Sequence, residues 1–393
     1  MTREELNIVM LDEVRQAIKQ NIERDPLRVA LDSHMPHPRE VASQVKYLQR
    51  AKSKLPRLYA ARGILPDRAF EQSSSDECAA AKRLQGGALL DLTCGLGIDS
   101  SLLAERFERV VAIERDEVLA DVVRENMRRM GIANVEVVTA SAEEYLARAV
   151  ERGERFDWVY ADPDRRTADG RRVVRLEDCS PNMVELMPII GRVTGRVAIK
   201  NSPLFDVDEA FRLFGRCGVE VISLGDECKE VMIYADGREP MLAAEAIARG
   251  RVEVRLSELE QFRAEREGAV AEIAEFAAEE YRYLVVPDVA LQKARLVEYA
   301  LRGKADVWSN NSFGFARTMP EGVVGRVMKI KEIYPYDAKA LKRRFKGEGV
   351  DIILRDFPVG VDELRRKTGM KSGSKHRIAL TRINGKAYVV ELE

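Results

Sequence analysis

The stretch LLDLTCGLGID, residues 89–99, decides the fold expected for this chain. Its apolar run ends at Asp91 and passes at once into a turn that contains Gly95 and Gly97. Glycine has no Cβ and tolerates positive φ, so such a turn lets the backbone approach a ligand closely. In a doubly wound sheet, the turn after the first strand lies at the carboxyl ends of the strands, where nucleotide-like ligands bind. The stretch therefore predicts an α/β fold with a ligand crevice over this turn.

The spacing within the turn narrows the class of ligand. Asp91, Gly95 and Gly97 form an Asp-x-x-x-Gly-x-Gly pattern, which differs from the Gly-x-Gly-x-x-Gly fingerprint of dinucleotide-binding folds. The chain also lacks the Gly-Lys-Ser or Gly-Lys-Thr of a phosphate-binding P-loop. The pattern therefore points away from NAD and ATP.

Three further apolar stretches continue the alternation of strands and helices. RVVAIERD (109–116) ends a second strand on Glu114, NVEVVTASAEEYL (134–146) supplies a third strand with its turn, and FDWVYADPDRR (156–166) ends a fourth strand at Asp162. An acid at the tip of the second strand is placed to accept the ribose hydroxyls of an adenosine. Glu114 is therefore the strongest candidate for cofactor binding.

Together these segments resemble the motifs of class I S-adenosylmethionine-dependent methyltransferases. The resemblance implies S-adenosyl-L-methionine as the cofactor. The cofactor-binding residues that it implies are Asp91, Thr93, Gly95, Gly97, Glu114, Arg115, Ser141, Ala142 and Asp162. One segment departs from the family pattern, because Ala140-Ser141-Ala142 stands where an Asp often holds the adenine amino group. Either Ser141 or a backbone group would take over that hydrogen bond.

The segment FEQSS (70–74) precedes the first motif, where several RNA methyltransferases place a short segment over the methionine end of the cofactor. Gln72 and Ser73 are therefore candidates for binding the carboxylate or the amine of that end. The alternative is a loop that leads into a helix cap, with Ser75 or Asp76 as the capping residue.

Asp162, Pro163 and Lys200 are the catalytic candidates. In amino-group methyltransferases, the similar Asp/Asn-Pro-Pro-Tyr/Phe motif accepts the hydrogens of the target amine and stacks its aromatic ring on the flipped base. This chain keeps Asp162-Pro163 but continues with an acid, Arg165 and Arg166, so the stacking ring is absent from the motif. Plain N-methylation of a base is therefore in doubt.

The basic side chains near this motif have two interpretations. Arg165 and Arg166 either bind the substrate, by holding a phosphate or stacking on a base, or pair with Glu177 or Asp178. Lys200, in the fifth-strand segment VAIKNSP, has several possible roles. It neutralises Asp162, binds phosphate or orients the target, or else it forms a purely structural ion pair.

A covalent cysteine mechanism is disfavoured. Uracil carbon-5 methyltransferases carry a nucleophilic cysteine on the strand after an Asp-Pro-Pro-Arg motif, whereas this chain has no cysteine beside Lys200. Cys179 follows two acids, which suppress its thiolate. Methyl transfer depends mainly on alignment, so Asp162 as hydrogen-bond acceptor or weak base is sufficient.

Length and composition indicate a multi-part enzyme in a reducing compartment. The 393 residues suggest two or three domains. No apolar run approaches the roughly 18–20 residues of a membrane span, and the start of the chain lacks a secretory signal pattern. Five cysteines without a Cys-x-x-Cys pair favour the cytoplasm. His34 and His37 flank prolines with no cysteine nearby, so no metal is predicted.

Charge is distributed unevenly along the chain. Residues 326–393 contain 17 Lys or Arg against 9 Asp or Glu, a net charge of +8, although the whole chain carries −1. A basic module attached to an acidic body is expected when one part holds a polyanion. Lys342, Arg343 and Arg344 are the substrate-binding candidates there, and the alternative is a solvated helix face.

The chain is expected to divide into three parts: an N-terminal helical region (1–75), a methyltransferase domain (76–237), and linker helices with an α+β domain (238–393). The middle part is expected to be a doubly wound, Rossmann-like, mostly parallel sheet of seven strands, closed by the hairpin VEVISLGDECKEVMIYADG. In the last part, ALQKARLVEYALRG (290–303) predicts a helix, and HRIALTRINGKAYVVEL (376–392) predicts a hairpin turned at Asn-Gly.

The segment RDFPVGVDELRRKTGMKSG (355–373) and the hairpin after it resemble the THUMP-like domain found in one group of bacterial and archaeal methyltransferases. The same group is similar to this chain at AFEQSSSDECAAAKR, DLTCGLGIDS and IKNSPLFD. True THUMP domains bind RNA, commonly transfer RNA. The resemblance therefore implies RNA as the partner, with tRNA favoured over rRNA.

The expected function is that of a cytoplasmic RNA methyltransferase. Two other classes stay open: a methyltransferase of a small molecule or a protein, whose basic module makes oligomer contacts, and a non-catalytic RNA chaperone that binds S-adenosylmethionine. The sequence leaves the oligomeric state, the modified nucleotide and the modified atom undetermined.

Overall fold

The computed structural model describes residues 1–165, 175–269 and 276–393. These residues form two compact units. The first unit comprises Met1–Cys217 and Val231–Arg238, and the second comprises Gly218–Glu230 and Glu239–Glu393. Among the helices of the described residues, none combines the length and the apolar character needed to cross a bilayer.

Residues 1–85 of the first unit form helices. Pro26, Pro38 and Pro56 each occupy the first position of a helix, where the missing N–H leaves no helical hydrogen bond unmade. The helices are α1 (Arg3–Met10), α2 (Asp12–Gln20), α3 (Pro26–Ala30), α4 (Pro38–Lys54), α5 (Pro56–Ala60), α6 (Asp67–Gln72) and α7 (Asp76–Ala81).

These helices share one hydrophobic core with the α/β part of the same unit. Val14, Val41 and Leu58 are fully buried in the same cluster as Leu96 and Ile98 from the glycine turn. At roughly 25 cal/mol per Å² of buried apolar surface, this packing is the main stabilising contribution of the helical region. The helical region therefore supports the turn from behind.

The α/β part alternates strands and helices along the chain. Its elements are β1 (Gly86–Asp91), α8 (Ile98–Leu103), β2 (Phe107–Glu114), α9 (Glu117–Met130), β3 (Val135–Thr139), α10 (Ala142–Glu151), β4 (Trp158–Ala161), α11 (Met183–Ile190), β5 (Val197–Asn201) and α12 (Val207–Phe214). The chain continues into β6 (Gly218–Leu224) and β7 (Glu227–Ala235).

In the described part of the first unit, the strands lie in the order β3-β2-β1-β4-β5-β7. The first five are parallel, and β7 runs antiparallel to β5. The strand order changes direction at β1, which pairs with β2 on one side and β4 on the other. This is the position at which open α/β sheets bind ligands, beyond the carboxyl ends of the strands.

The second unit begins with β6, which pairs in parallel with a later strand. Gly225 and Asp226 both have positive φ, 60° and 69°, as a two-residue hairpin turn between β6 and β7 requires. The remaining elements are β8 (Met241–Ala246), β9 (Gly250–Arg255), α13 (Leu256–Ala269), β10 (Tyr283–Pro287), α14 (Val289–Lys293), α15 (Val297–Leu301), β11 (Asp306–Val307), β12 (Gly314–Ala316), β13 (Gly325–Pro335), α16 (Ala338–Phe345), β14 (Gly349–Leu354), α17 (Val361–Thr368), β15 (Lys371–Ser372), β16 (His376–Ile383) and β17 (Lys386–Leu392).

Within its described residues, the second unit also holds a sheet ordered β11-β12-β10-β13-β17-β16-β14-β15. The hairpin between β16 and β17 turns at Asn384-Gly385, both with positive φ, as the sequence predicts. The helix predicted over residues 290–303 is instead two short helices, α14 and α15. Arg295 between them has φ of 54°, and this break lets Leu296 and Val297 both turn into the core.

Candidate active site

The carboxyl ends of β1, β2, β4 and β5 bring the predicted polar residues to one edge of the sheet. Asp91 ends β1, Glu114 ends β2, Asp162 follows β4, and Lys200 lies near the end of β5. Because these strands are parallel neighbours, residues far apart in the sequence meet at this edge.

The two glycines of the turn have different reasons to be glycine. Both have positive φ, 55° at Gly95 and 79° at Gly97. A Cβ on Gly97 would lie 2.8 Å from both Val123 Cγ1 and Met127 Cε of α9, so tight packing forbids it. A Cβ on Gly95 would have no neighbour nearer than the Thr93 carbonyl oxygen at 4.0 Å. Gly97 therefore seats the turn on α9, whereas Gly95 borders open space.

Glu114 lies beside this open space. The Gly95 N–H donates to its Oε2 at 3.0 Å, and the Asp116 N–H donates to its Oε1 at 2.9 Å. Burial raises the pKa of this carboxyl, and the two N–H donors oppose the rise. A carboxylate offers about four lone-pair positions, so acceptor capacity for ribose hydroxyls is left over. The turn and Glu114 thus fit the adenosine part of a cofactor.

Asp91 sits behind the turn. Its Oδ1 accepts from the Thr93 N–H at 3.0 Å and its Oδ2 from the Ser100 hydroxyl at 2.5 Å. Burial raises the pKa of this carboxyl to about 7. Thr93 in turn accepts at Oγ1 from the Asp162 N–H at 2.5 Å. Asp91 and Thr93 therefore fix the turn against the end of β4.

Asp162 and Lys200 form a close ion pair. Lys200 Nζ lies 2.6 Å from Asp162 Oδ2 and donates to Ser74 Oγ at 2.9 Å. The side chain of Lys200 is only 12% exposed and that of Asp162 is 31% exposed, so the carboxylate faces the crevice while the ammonium lies beneath it. The pairing expected between Lys200 and the motif's aspartate is thus present in the structure.

A second layer of charge lies under this pair. Asp99 Oδ1 is 2.8 Å from Lys82 Nζ, and its Oδ2 accepts from the Tyr160 hydroxyl at 2.8 Å and from Ser74 Oγ at 3.2 Å. Lys200 Nζ is also 4.0 Å from Asp99. Burial favours the neutral acid, but the two ammonium groups outweigh burial and lower the pKa of Asp99 to about 2.

Sequence reasoning missed Lys82, Tyr160 and Asp99 as members of the site. Asp99 ends the stretch 89–99 that contains the glycine turn, and its place on the first turn of α8 was a usable signal. Lys82 follows a short alanine-rich helix, and nothing in the neighbouring sequence indicates that its side chain is fully buried. Only the fold brings it to Asp99.

The segment before the first motif contributes Ser74. Gln72 ends α6 with an exposed side chain, and the Ser73 hydroxyl donates to the Phe70 carbonyl at 2.9 Å. Ser74, by contrast, contacts Lys200 and Asp99. Ser75 Oγ accepts from the Cys78 N–H and caps α7, so the predicted helix cap is confirmed.

Ser141 and Ala142 lie at the start of α10. Ser141 forms a capping box with Glu144, in which its Oγ accepts from the Glu144 N–H and its own N–H donates to the Glu144 carboxylate. Ala142 is buried. Arg115 is exposed, and its Nη1 lies 3.5 Å from the Ser180 hydroxyl. The Ser141 hydroxyl thus already accepts one hydrogen bond by capping α10.

The chain after Pro163, which is buried, turns back on a neighbouring loop. The backbones of Asp164 and Ser180 exchange hydrogen bonds of 2.8 and 2.9 Å. Arg165 lies near Cys179, and Arg166 lies outside the described residues. Of the acids considered as their partners, Glu177 is paired with Arg175 at 3.3 Å.

No cysteine near the crevice has the properties of a nucleophile. Burial raises the pKa of Cys179 to about 11, and its Sγ donates to the Arg175 carbonyl at 3.3 Å. Burial also raises the pKa of Cys94. Both groups are therefore thiols at neutral pH, whereas covalent catalysis requires a thiolate.

The basic residues predicted in the second unit lie on α16. Arg344 is held by carboxylates, with its Nε 2.7 Å from Glu391 and its Nη2 3.0 Å from Glu332. Lys342 and Arg343 are exposed and have no ion-pair partner among the residues that the structure describes. The three residues thus separate into one structural ion pair and two available cations.

Two family models match this chain. Residues 89–186 match a model described as a methyltransferase domain, and residues 325–393 match one described as THUMP domain-like. An uncharacterized S-adenosylmethionine-dependent methyltransferase of Mycobacterium tuberculosis (strain CDC 1551 / Oshkosh) is 26% identical over 347 residues. That match covers 85% of this chain and 90% of the relative.

Shorter parts of the chain are similar in sequence to RNA methyltransferases. A tRNA/tmRNA (uracil-C(5))-methyltransferase of Neisseria meningitidis is 34% identical over 106 residues, which is 23% of this chain and 29% of the relative. A 23S rRNA (uracil(1939)-C(5))-methyltransferase of Klebsiella pneumoniae is 34% identical over 100 residues, which is 25% of this chain and 21% of the relative.

The fold as a whole also has a solved counterpart. The crystal structure of a Porphyromonas gingivalis W83 protein covers 100% of this chain and 99% of its own, with a TM-score of 0.81 and 23% identity. This likeness confirms the α/β fold class with its C-terminal α+β domain. The chain carries an S-adenosylmethionine-dependent methyltransferase domain followed by a THUMP-like domain, as the motifs predict.

Proposed function

We propose that this methyltransferase acts on RNA, with tRNA favoured over rRNA, and that the THUMP-like domain positions the substrate. The observation that carries the proposal is the pair Lys342 and Arg343, exposed and available within the segment that matches the THUMP-like model. Lys and Arg side chains that lack internal partners are what phosphate contacts require. The partial relatives that modify tRNA and rRNA support the same substrate class.

For the cofactor, we assign the sugar to Glu114 and the close backbone approach to Gly95. Ser141 and Ala142 would border the adenine, chiefly through backbone groups. Arg115 would lie at the rim of the same crevice. Gln72 and Ser73 would line the methionine end through the segment that carries them. S-adenosylmethionine supplies an electrophilic methyl group, so the protein needs mainly to align the target with it.

We assign to Asp162 the role of accepting a hydrogen bond from the target nucleotide, with Pro163 fixing the backbone there. Lys200 orients the carboxylate of Asp162, since its ammonium lies 2.6 Å away. Ser74 and Asp99 in turn hold Lys200. Arg165 and Arg166 would contact the phosphates next to the target nucleotide.

We propose direct transfer, without a covalent protein–base intermediate. Burial holds the thiols of Cys94 and Cys179 protonated at neutral pH, and VAIKNSP brings no cysteine to the end of β5. This chain therefore lacks the cysteine that uracil carbon-5 methyltransferases carry on that strand. No disulfide joins the five cysteines, all of which the structure describes, in keeping with the cytoplasmic location that we propose.

The test is transfer of a labelled methyl group from S-adenosylmethionine to the tRNA, rRNA, protein and small-metabolite fractions of a strain that lacks the gene. We expect label in tRNA with the wild-type chain and none with Asp162→Ala. Asp164→Asn is the matched control, because it changes the neighbouring carboxylate, which lies 3.8 Å from the exposed Arg68, and keeps the backbone hydrogen bonds between Asp164 and Ser180. Label only in protein or in small metabolites would contradict the RNA assignment, and binding of RNA without any transfer would favour the chaperone alternative.

A second measurement identifies the target. Mass spectrometry of nucleosides from cells with and without the gene should show one methylated nucleoside that disappears from the tRNA fraction. Its disappearance from rRNA alone would replace tRNA by rRNA as the substrate.

A further inference from the structure

A cationic groove of about 250 Å³ lies among the N-terminal helices of the first unit. Its floor is apolar and includes Val9, Ile18, Leu48 and Ile64, which come from α1, α2, α4 and the segment after α5. Its rim is basic on several sides. The basic residues are Arg15, Lys19, Arg62, Arg128 and Arg129.

The rim keeps an excess of positive charge after its internal ion pairs are counted. Arg15 pairs with Asp12, and Arg128 and Arg129 share the carboxylate of Glu125 at 2.7 Å each. Hydrogen bonds from these two arginines lower the pKa of Glu125 to about 2, so it stays charged. Lys19 and Arg62 have no ion-pair partner among the described residues, so five cations face two carboxylates. A concave surface of one sign concentrates the field that attracts anions.

Arg62 occupies a backbone position that an arginine rarely takes. Its φ is 52°, a region that glycine and asparagine tolerate better. The next residue, Gly63, is tightly enclosed, since a Cβ there would lie 2.5 Å from Leu58 Cδ2. Asn126 then holds both the N–H and the carbonyl of Ile64, at 2.7 and 2.9 Å. The Arg62 guanidinium donates to the Tyr59 carbonyl at 2.9 Å and lies 4.6 Å from the centre of the Tyr59 ring, so these contacts hold it at the rim of the groove.

The groove is distant from the methyl-transfer crevice. Helix α9 begins at Glu117, next to the crevice residue Glu114, and Arg128 and Arg129 lie in its last turn. Fourteen residues at about 1.5 Å each give roughly 20 Å between the two ends. A nucleotide whose base reaches Asp162 therefore cannot itself occupy the groove. Only another part of a long polyanion can contact both.

We infer that this groove is a second RNA-binding site, which anchors the substrate away from the modified nucleotide. The inference rests on the proposed function, since it assumes an RNA substrate. Backbone phosphates would contact Arg15, Lys19 and Arg62 on the rim. An unstacked base would lie over the apolar floor, because single-stranded RNA is bound by such combinations of basic and apolar surface.

The test measures the affinity of the full chain for a fluorescently labelled tRNA transcript at several salt concentrations. Arg15→Gln with Lys19→Gln should weaken binding about tenfold, as loss of charged hydrogen bonds does. It should also reduce the slope of log Kd against log salt by about 1.5, since each phosphate contact contributes roughly 0.7 to 0.9. The matched control is Arg28→Gln with Arg39→Gln, two exposed basic residues of the same region outside the groove, which should leave both values unchanged.

A second variant separates binding from folding. Arg62→Asn removes the guanidinium with its contacts to Tyr59, but asparagine suits the left-handed backbone better. The two effects on stability oppose each other, so the thermal midpoint should change little while tRNA affinity falls. In steady-state methylation, the groove variants should raise KM for tRNA about tenfold and leave kcat unchanged, because the groove does not touch the reacting atoms.

The two proposals fail in different ways. Unchanged tRNA affinity and salt slope in both groove variants, with RNA still methylated by the wild type, would overturn the groove alone. A wild-type chain that neither binds nor methylates RNA would overturn the proposed function. Binding of inorganic phosphate in the groove with no effect of the variants on tRNA would also overturn the inference.

Discussion

The charges beneath the crevice and the charges on α16 are organised in opposite ways. Under the crevice, Lys82 and Asp99 are buried and each charge is satisfied within the protein. On α16, Lys342 and Arg343 are exposed and available, while their neighbour Arg344 is held by two carboxylates. Buried charges must be paired to be tolerated, whereas surface charges can be left for a partner. The two regions therefore predict different consequences for the loss of a single charge.

The largest effect is expected for Lys82→Met. It leaves the carboxylate of Asp99 buried without its nearest cation, and breaking one partner of a buried pair costs about 3 to 5 kcal/mol. Urea unfolding should show this loss. The double variant Lys82→Met with Asp99→Asn should recover much of it, because the uncompensated charge is gone. Equal stability of the single and double variants would mean that the pair is not coupled.

Asp91 should make stability depend on pH. Its folded-state pKa of about 7 exceeds the ordinary value of about 3.9, so between these pH values the folded state binds a proton that the unfolded state releases. Stability therefore falls as pH rises through this window and levels off above it. Asp91→Asn keeps the acceptor for Thr93 but does not titrate. Relative to the wild type, the free energy of unfolding of this variant should rise by about 3 kcal/mol between pH 4 and pH 7. Urea unfolding at several pH values measures this difference, and the same pH dependence in both chains would contradict the prediction.

A smaller effect is expected for Ser74→Ala, which removes the hydroxyl between Lys200 and Asp99. Because Lys200 orients Asp162, methyl transfer to tRNA should slow by about tenfold in kcat with little change in the KM for S-adenosylmethionine. Ser101→Ala is the control, since the Ser101 hydroxyl donates to the Ile98 carbonyl at 2.8 Å and belongs to none of the assigned cofactor or catalytic residues. Equal rates for the two variants would remove Ser74 from the site.

The smallest effects should distinguish the residues of α16. Arg344→Gln should cost about 0.5 to 1 kcal/mol of unfolding free energy, because its partly exposed ion pairs are lost. Lys342→Gln with Arg343→Gln should leave stability unchanged but weaken tRNA binding and lower its salt dependence. If Arg344→Gln weakened tRNA binding more than the double variant, the division of roles on this helix would be wrong.

Local pattern predicted the elements of the fold well where each element follows its own periodicity. The glycine turn, the strands ending at Glu114 and Asp162, and the Asn-Gly hairpin all lie where the sequence indicates. The division of residues 290–303 into two helices could not be predicted from the sequence, because nothing next to Arg295 indicates its left-handed backbone conformation. Periodicity reports which face of an element is apolar, and it does not report a break imposed by packing.

The sequence by itself determined the crevice, its glycine turn and the acid at position 114, because these follow from strand order and backbone geometry near one motif. Only the tertiary structure decided which side chains support them. Ser74 instead of Ser73 reaches Lys200, Lys82 neutralises Asp99, and Arg344 is taken by carboxylates while Arg343 is not. Such pairings depend on distances of about 3 Å between atoms that are far apart along the chain, and only the packed fold sets those distances.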